Sequence, residues 1–454
     1  MNFIKLGCTA LAGLLVLLYI QPVLVWNNPN LYFFAGAGAV ALYLSQALSK
    51  PEFDPRPTWT LALGIVLIAV GLLAPVLSGF STMARTSLAG LPPVASETGL
   101  PALDVKKVPL VSRAVAVEVL KRKVAADATL RDEFVLGSPV KQAYQGQLVW
   151  VAPLEPKSIV SALFGKPAPA YAIVDAADAG SARLVKCDIA VSNRNFLGLD
   201  SRVWLRNPTL DVYGWYFELD DDGIPHWVGI LTERKIGFRG YDVVGAVAID
   251  VSTAKQTHYT RDQVPLWVNN KFPMELVAAQ INAAGDLVNG LFDFKDDGKF
   301  ELATGLNMVY FEGKPWYLGL LARVGEERII EEVVLVDTQT KATRLVRLSG
   351  IADYEAARVL QSKSPYKGLR ASNPVPYLVG GSPAYVASLA DENGILRAFG
   401  LVSVKSGAVY AIAPTLQEAI ERYSIRVRDV KAMMAHSNDY ELTWLLPRKK
   451  MPHT

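Results

Sequence analysis

The sequence predicts a membrane-anchored α+β protein, in which three N-terminal transmembrane helices precede repeated modules of one helix plus an antiparallel sheet. Three observations lead there. Leu6 to Trp26, Leu31 to Leu48 and Trp59 to Phe80 are apolar runs without Asp, Glu, Lys or Arg. Each approaches the roughly 20 residues that a helix needs to cross a bilayer. Beyond them, short aromatic-centred strands recur, with Gly-bearing turns between and helical stretches before them.

The chain is 51% hydrophobic and 20% charged, so its apolar character is unevenly spread, and the excess sits at the N-terminus. Trp26, Tyr32, Trp59 and Phe80 mark the edges of the runs, as interfacial aromatics do. The first run lacks a small-x-small cleavage site and leads at once into a second, which argues against a removed signal peptide. Only seven residues precede Cys8, leaving no room for the apolar region of a lipidation signal. Lys5 before the first run and Lys50 and Arg56 between the second and third place the N-terminus in the cytoplasm, and three crossings then put the main domain outside. Ala35, Gly36, Gly38 and Ala39 form a small-residue face on the middle run. Such a face packs helices within one chain or joins copies of it.

The expected division is a membrane part at 1–80, a linker at 81–110 rich in Gly and Pro, a first α+β module at 111–200, central paired β-rich modules at 201–350, a C-terminal α+β module at 351–447 and a basic tail at 448–454. A helix is predicted over Arg113 to Ala128. Four strand sets share one pattern: Trp150 leading to Asp175, Trp227 to Asp250, Trp316 to Asp337 and Tyr385 to Lys405. Helical stretches at Met274 to Ala284, Asp353 to Gln361 and Thr415 to Tyr423 precede the third set, the fourth set and a last strand over Tyr440 to Leu446. Asp221-Asp222-Gly223, Asp296-Asp297-Gly298 and Glu392-Asn393-Gly394 supply the positive φ that hairpin turns require. With Gly146-Gln-Leu-Val-Trp150-Val-Ala, Val264-Pro-Leu-Trp267-Val and Ser382-Pro-Ala-Tyr385, this pattern resembles the PepSY type of repeat, carried by poorly characterised bacterial multi-span membrane proteins. The resemblance covers Val111 to Tyr423. It implies an envelope location and a non-enzymatic role, and it carries over no catalytic residue.

Chemistry is sparse. The formal charge is +3, from 46 basic and 43 acidic residues, and without a basic stripe no nucleic-acid partner is expected. Cys8 and Cys187 are the only cysteines, and with His226, His258, His436 and His453 they form no zinc-ligand spacing. Glu218, Asp220 and Asp222 before Gly223 imitate the start of a calcium loop, but its twelfth position is Gly229 rather than a glutamate. Asp293, Asp296 and Asp297 fail in the same way at Thr304. No nucleophile elbow, phosphate loop or dinucleotide fingerprint is present, so neither a catalytic residue nor a cofactor is expected. Trp215, Trp227, Trp267, Trp316 and Tyr385 either belong to the core or line an aromatic binding surface. The sequence therefore points to a non-enzymatic scaffold that contacts the membrane and other envelope proteins or itself. A peptide- or protease-binding regulator is the alternative, and an enzyme acting on envelope polymers a third.

Overall fold

The computed structural model describes residues 21–48, 58–78, 96–97, 99–192, 198–286, 298–326, 328–372 and 374–444. It opens with two apolar helices, α1 (Pro29–Leu48) and α2 (Thr58–Ser78). They run antiparallel through glycine contacts: a Cβ at Gly36 would lie 2.9 Å from the carbonyl oxygen of Gly64, and one at Gly64 would lie 2.9 Å from that of Gly36. Backbone meets backbone there, which only small residues allow.

The expectation of three N-terminal spans is corrected here. Among the described residues only α2, over Trp59–Ser78, is long and apolar enough to cross a membrane; the apolar part of α1 is the shorter Pro29–Leu44. The first run lies mostly outside the described residues, and its end, from Gln21 to Trp26, is not helical. There the Leu24 N–H donates to the Pro208 carbonyl at 2.7 Å and the Trp204 indole donates to the Pro22 carbonyl at 2.9 Å. Pro22 offers no N–H, and this segment bonds residues 204 and 208 instead of forming a helical ladder.

The rest is built on four antiparallel sheets. β1 (Ser96–Glu97) comes first, and α3 (Arg113–Ala126) follows. The Ser112 hydroxyl accepts the Val115 N–H at 3.3 Å and caps α3, which buries Val115, Val119, Leu120 and Val124 on one side. After α4 (Ala128–Glu133), the first sheet comprises β2 (Phe134–Leu136), β3 (Val140–Tyr144), β4 (Gln147–Pro156), then past α5 (Ile159–Leu163) β5 (Ala168–Asp175) and β6 (Arg183–Ile189). β2 and β3 both pair with β4, followed by β5 and β6. α6 (Leu199–Arg206) leads into the second sheet, β7 (Asp211–Leu219), β8 (Pro225–Ile236), β9 (Arg239–Asp250) and β10 (Gln256–Thr260), paired in that order.

α7 (Met274–Asp286) precedes the third sheet, β11 (Phe300–Leu302), β12 (Asn307–Phe311), β13 (Lys314–Arg323), β14 (Ile329–Asp337) and β15 (Thr343–Ile351), with β1 added in parallel to β15. α8 (Asp353–Lys363) precedes the fourth, β16 (Arg370–Ala371), β17 (Val375–Val379), β18 (Ser382–Ala390), β19 (Leu396–Ser403) and β20 (Tyr410–Ala413), and α9 (Leu416–Trp444) closes the described chain. The strand expected over Tyr440 to Leu446 is a correction too, because 440–444 continue α9. Residues 81–95 of the expected linker and the tail at 448–454 lie outside the described residues, as do Asp293, Asp296 and Asp297. Residues 101–103 run along β17, where the Leu378 N–H donates to the Pro101 carbonyl and the Leu103 N–H donates to the Leu378 carbonyl.

Three sheets share one device, an edge position filled by two short strands with a break between them: β2 and β3 on β4, β11 and β12 on β13, β16 and β17 on β18. In each, a two-residue turn with both φ positive joins the second short strand to the long one, at Gln145-Gly146, Glu312-Gly313 and Gly380-Gly381. Such turns match the twist of a hairpin.

The expected layout, a helix covering the apolar face of each sheet, does not fit. Apart from α8 and α9, which pack on the fourth sheet, the sheets cover one another. On β13, Trp316, Leu318 and Leu320 join a core shared with Tyr385 and Leu401 of the fourth sheet, whereas Tyr317 and Leu321 join one shared with Trp150 and Val228 of the first and second. On β4, Val149 and Val151 face a third core with Phe217 and Trp227, while Leu148 and Ala152 face the second. Central strands are therefore buried on both faces, and this is why they read as continuous apolar runs rather than alternating ones.

The third and fourth sheets close on each other at Gly350, where an added Cβ would lie 2.1 Å from the Val404 carbonyl oxygen. Backbone cannot step aside there, so Gly350→Ala is expected to cost about 3 kcal/mol, toward the upper end of overpacking effects. Denaturant unfolding checks this; a loss below about 0.5 kcal/mol would show that the seam is not tight.

Candidate functional site

A cavity of about 730 Å³ lies where the four sheets converge. Its walls come from the breaks just described: Ser138 and Pro139 from the β2–β3 break, Leu306 from the β11–β12 break and Ser372 from the β16–β17 break. Trp150, Tyr216, Asn270 and the first turn of α3 complete the lining. Each break shortens the ladder without emptying it: the Gly137, Ala303 and Ser372 N–H groups still donate to the Pro153, Leu320 and Ser388 carbonyls of the long strands, and it is the short gap beyond each of them that borders the cavity.

One polar cluster fixes this geometry. Glu218 on β7 is fully buried. Its carboxylate accepts the Asn269 N–H at 2.7 Å, the Asn270 N–H at 3.1 Å and the Asn270 side-chain amide at 2.7 Å. The same Asn270 amide donates to the Lys141 carbonyl at 3.3 Å, and the Asn269 amide donates to the Ala143 carbonyl at 3.2 Å. Gln142, also buried, accepts the Leu219 N–H at 2.9 Å and donates to the Leu219 carbonyl at 3.2 Å. The outer edge of β3 is thus tied to β7 by side chains that occupy the places of a missing strand. Burial pushes the Glu218 carboxyl up to about 7 against the pull of those three N–H donors.

Lys141 projects from β3 into the cavity wall. Its ammonium donates to the Met308 carbonyl at 3.2 Å and lies 5.3 Å from the centre of the Trp150 ring. Burial lowers its pKa to about 8. Trp150 is held by its own indole N–H, which donates to the Val111 carbonyl at 2.8 Å, next to the start of α3. Across the cavity, burial and then nearby Glu275 hold the Tyr216 hydroxyl well above the usual tyrosine range.

The structure does not bring the five expected aromatic residues together. Trp215 lines the cavity and donates its indole N–H to Asp200 at 2.7 Å. Trp227 is in the core with its indole donating to the Val191 carbonyl, and Trp267 stacks on His226 at 5.1 Å. Trp316 and Tyr385 are buried core residues, the latter donating to the Ile351 carbonyl at 2.7 Å. On α1, Gly36 is buried against α2, Ala39 is half-buried, and Ala35 and Gly38 face outward. Only Gly36 of the four is committed to packing inside the chain. The run resembling a calcium loop is a hairpin turn in which Asp220 accepts the N–H groups of Asp222 and Ile224. Among the described residues no cluster of His, Cys, Asp and Glu is arranged to hold a metal.

Sequence pattern alone singles out neither Lys141 nor Asn270, and it marks Glu218 only as part of the run that imitates a calcium loop. What signal there is lies, for Glu218, in a lone carboxylate inside the apolar run Trp215 to Leu219 and, for Asn270, in the adjacent pair Asn269-Asn270 after a Trp-Val segment.

No family model matches the chain, and no curated protein matches it. Among solved structures, a glycosyl hydrolase from Bacteroides ovatus is similar at 12% identity, over 68% of this chain and 77% of that one, with a TM-score of 0.17. A likeness of that size carries neither fold nor function.

Since the folded-state value of Glu218 lies above the unfolded 4.5, the folded state holds the proton more tightly, and this residue's contribution to stability falls as pH rises from 4.5 to about 7. Glu218→Gln removes that titration. Relative to wild type, the variant's stability is expected to rise by on the order of 3 kcal/mol across that window, read by denaturant unfolding at a series of pH values; a difference independent of pH would contradict it.

Proposed function

We propose that the chain is a membrane-seated binding protein whose cavity takes an extended polypeptide segment and acts by recognition rather than catalysis. The observation that carries this reading is the convergence of three broken edge strands on one cavity. An extended peptide binds by adding to the edge of a sheet, here three interrupted edges facing one space, and the cavity's size falls in the ~300–1,000 Å³ range of ligand pockets. Its deepest hydroxyl, Ser388, donates to the Leu110 carbonyl at 2.6 Å, a structural role that leaves it unsuited to attack. A scaffold that self-associates through the small-residue face of α1 would leave this cavity without a role.

The seating in a membrane is supported by the outward side chains of α2, where Ile65, Val66, Leu72, Leu73 and Leu77 are exposed, a contiguous apolar surface that water does not favour. The β8–β9 turn grips the other end of the pair: the Phe238 ring lies 5.9 Å from Trp26 and 5.7 Å from Tyr32. Lys50 and Arg56, between α1 and α2 in the chain, favour a cytoplasmic loop there and hence an outer location for the sheets. Labelling of Cys187 in intact cells with a membrane-impermeant thiol reagent is expected; labelling only after permeabilisation would reverse the orientation.

The binding reading is tested with pooled N-acetyl pentapeptides of Ala, Val, Leu and Ser in a fluorescence competition assay on detergent-solubilised full-length protein. Micromolar binding is expected, weakened at least tenfold by Ser138→Trp, which fills the cavity from an exposed position on its wall. Absence of binding, or binding unaffected by that substitution, would overturn the reading.

A further inference from the structure

The cavity wall holds charges of both signs, from Arg113 and Glu118 on α3, Lys141 on β3, Glu275 on α7, Arg370 on β16, and Asp391 and Glu392 in the β18–β19 turn. Glu118 is paired with Lys121 at 3.0 Å and Asp391 with Arg397 at 2.9 Å. Lys141 differs from these. It sits in the wall with no carboxylate within ion-pair distance among the described residues, and one carbonyl, that of Met308, takes one of its three ammonium protons. The Trp150 face offsets part of the charge, and for the rest this half-buried lysine has partial hydration but no counter-charge.

Resting on the peptide-binding reading above, we infer that the ligand of this cavity presents a carboxylate to Lys141. The wall is arranged for it. Trp150, over which the ammonium lies, hydrogen-bonds the residue before the Ser112 cap of α3, so that Lys141 and the first turn of α3 border the same space. The N-terminal end of a helix favours a negative group. Arg113 in that turn and Arg370 across the cavity have no ion-pair partner among the described residues, and neither have Glu275 and Glu392 of the same wall, so recognition of a carboxylate rests on Lys141 and the start of α3. Burial lowers the Lys141 pKa, and a bound carboxylate would return it toward the ordinary range. The carboxylate can come from a peptide's C-terminus or from an acidic side chain, and the chemistry at Lys141 is the same for both.

Three pools of N-acetyl pentapeptides of Ala, Val, Leu and Ser separate the possibilities: one with a free C-terminus, one amidated, and one amidated with Glu at the central position. Wild type is expected to bind the free-acid or the Glu pool at least tenfold more tightly than the neutral pool, and the stronger of the two names the source of the carboxylate. Lys141→Met should reduce that preference to less than twofold. Lys141→Gln, which keeps a donor toward the Met308 carbonyl and so guards against a merely structural loss, should do the same, with unchanged melting temperature as the check on folding. Equal binding of all three pools by wild type, or a preference retained in the Gln variant, would overturn the carboxylate inference and leave the peptide reading standing. Binding of none of them would remove both.

Discussion

The geometry of this protein depends on a buried carboxylate. Glu218 would be costly to hold in the interior alone, and it is tolerated because two consecutive backbone N–H groups and a side-chain amide converge on it from Asn269 and Asn270. Those asparagines also reach the carbonyls of Lys141 and Ala143. The first and second sheets and the segment before α7 are therefore joined by one network in which each member satisfies another. Such networks matter more than the sum of their bonds, since removing one member leaves the others unpaired in a low-dielectric interior.

Apolar packing alone would not place the cavity. Strands β4, β8 and β13 each carry apolar residues on both faces, and they bring the sheets together into shared cores without specifying where a gap is left. The gap comes from the edges. Each of three sheets interrupts its first strand, and because the sheets stack around one centre, the interruptions meet. Side chains from Asn269, Asn270 and Gln142 seal the part of the β3 edge that faces β7, which protects it from adventitious pairing and leaves the breaks themselves as the accessible portion.

Much of the local structure was legible in the sequence. The strands around Trp150, Trp227, Trp316 and Tyr385, the helix beginning at Arg113 and the turns at Gly223 and Gly394 follow from β-branched runs, a Ser cap and glycine at positive φ. The larger arrangement was not. A two-sided apolar strand looks the same whether a helix or another sheet covers it, so periodicity could not distinguish helix-covered modules from sheets packed on sheets. The run ending at Trp26 satisfied a length-and-polarity criterion, yet Pro22, whose carbonyl accepts from the Trp204 indole, and Leu24, whose N–H donates to the Pro208 carbonyl, draw its end away from a helix. The site was least legible of all. Glu218 and Asn270 are 52 residues apart, and nothing local to either tells that they touch, while the conspicuous tryptophans were mostly core.

Hydrogen exchange on the ligand-free protein probes the central tie most directly. If Glu218 anchors the segment before α7 to β3 and β7, the Asn269 and Asn270 amides should exchange as slowly as the core of β8, although they belong to no strand, while the amides of Ser138 and of residues 304–306 in the breaks exchange orders of magnitude faster. Asn269 and Asn270 amides exchanging at the rate of an open loop would mean that the carboxylate does not hold the sheets together and that the cavity's walls are not fixed as described.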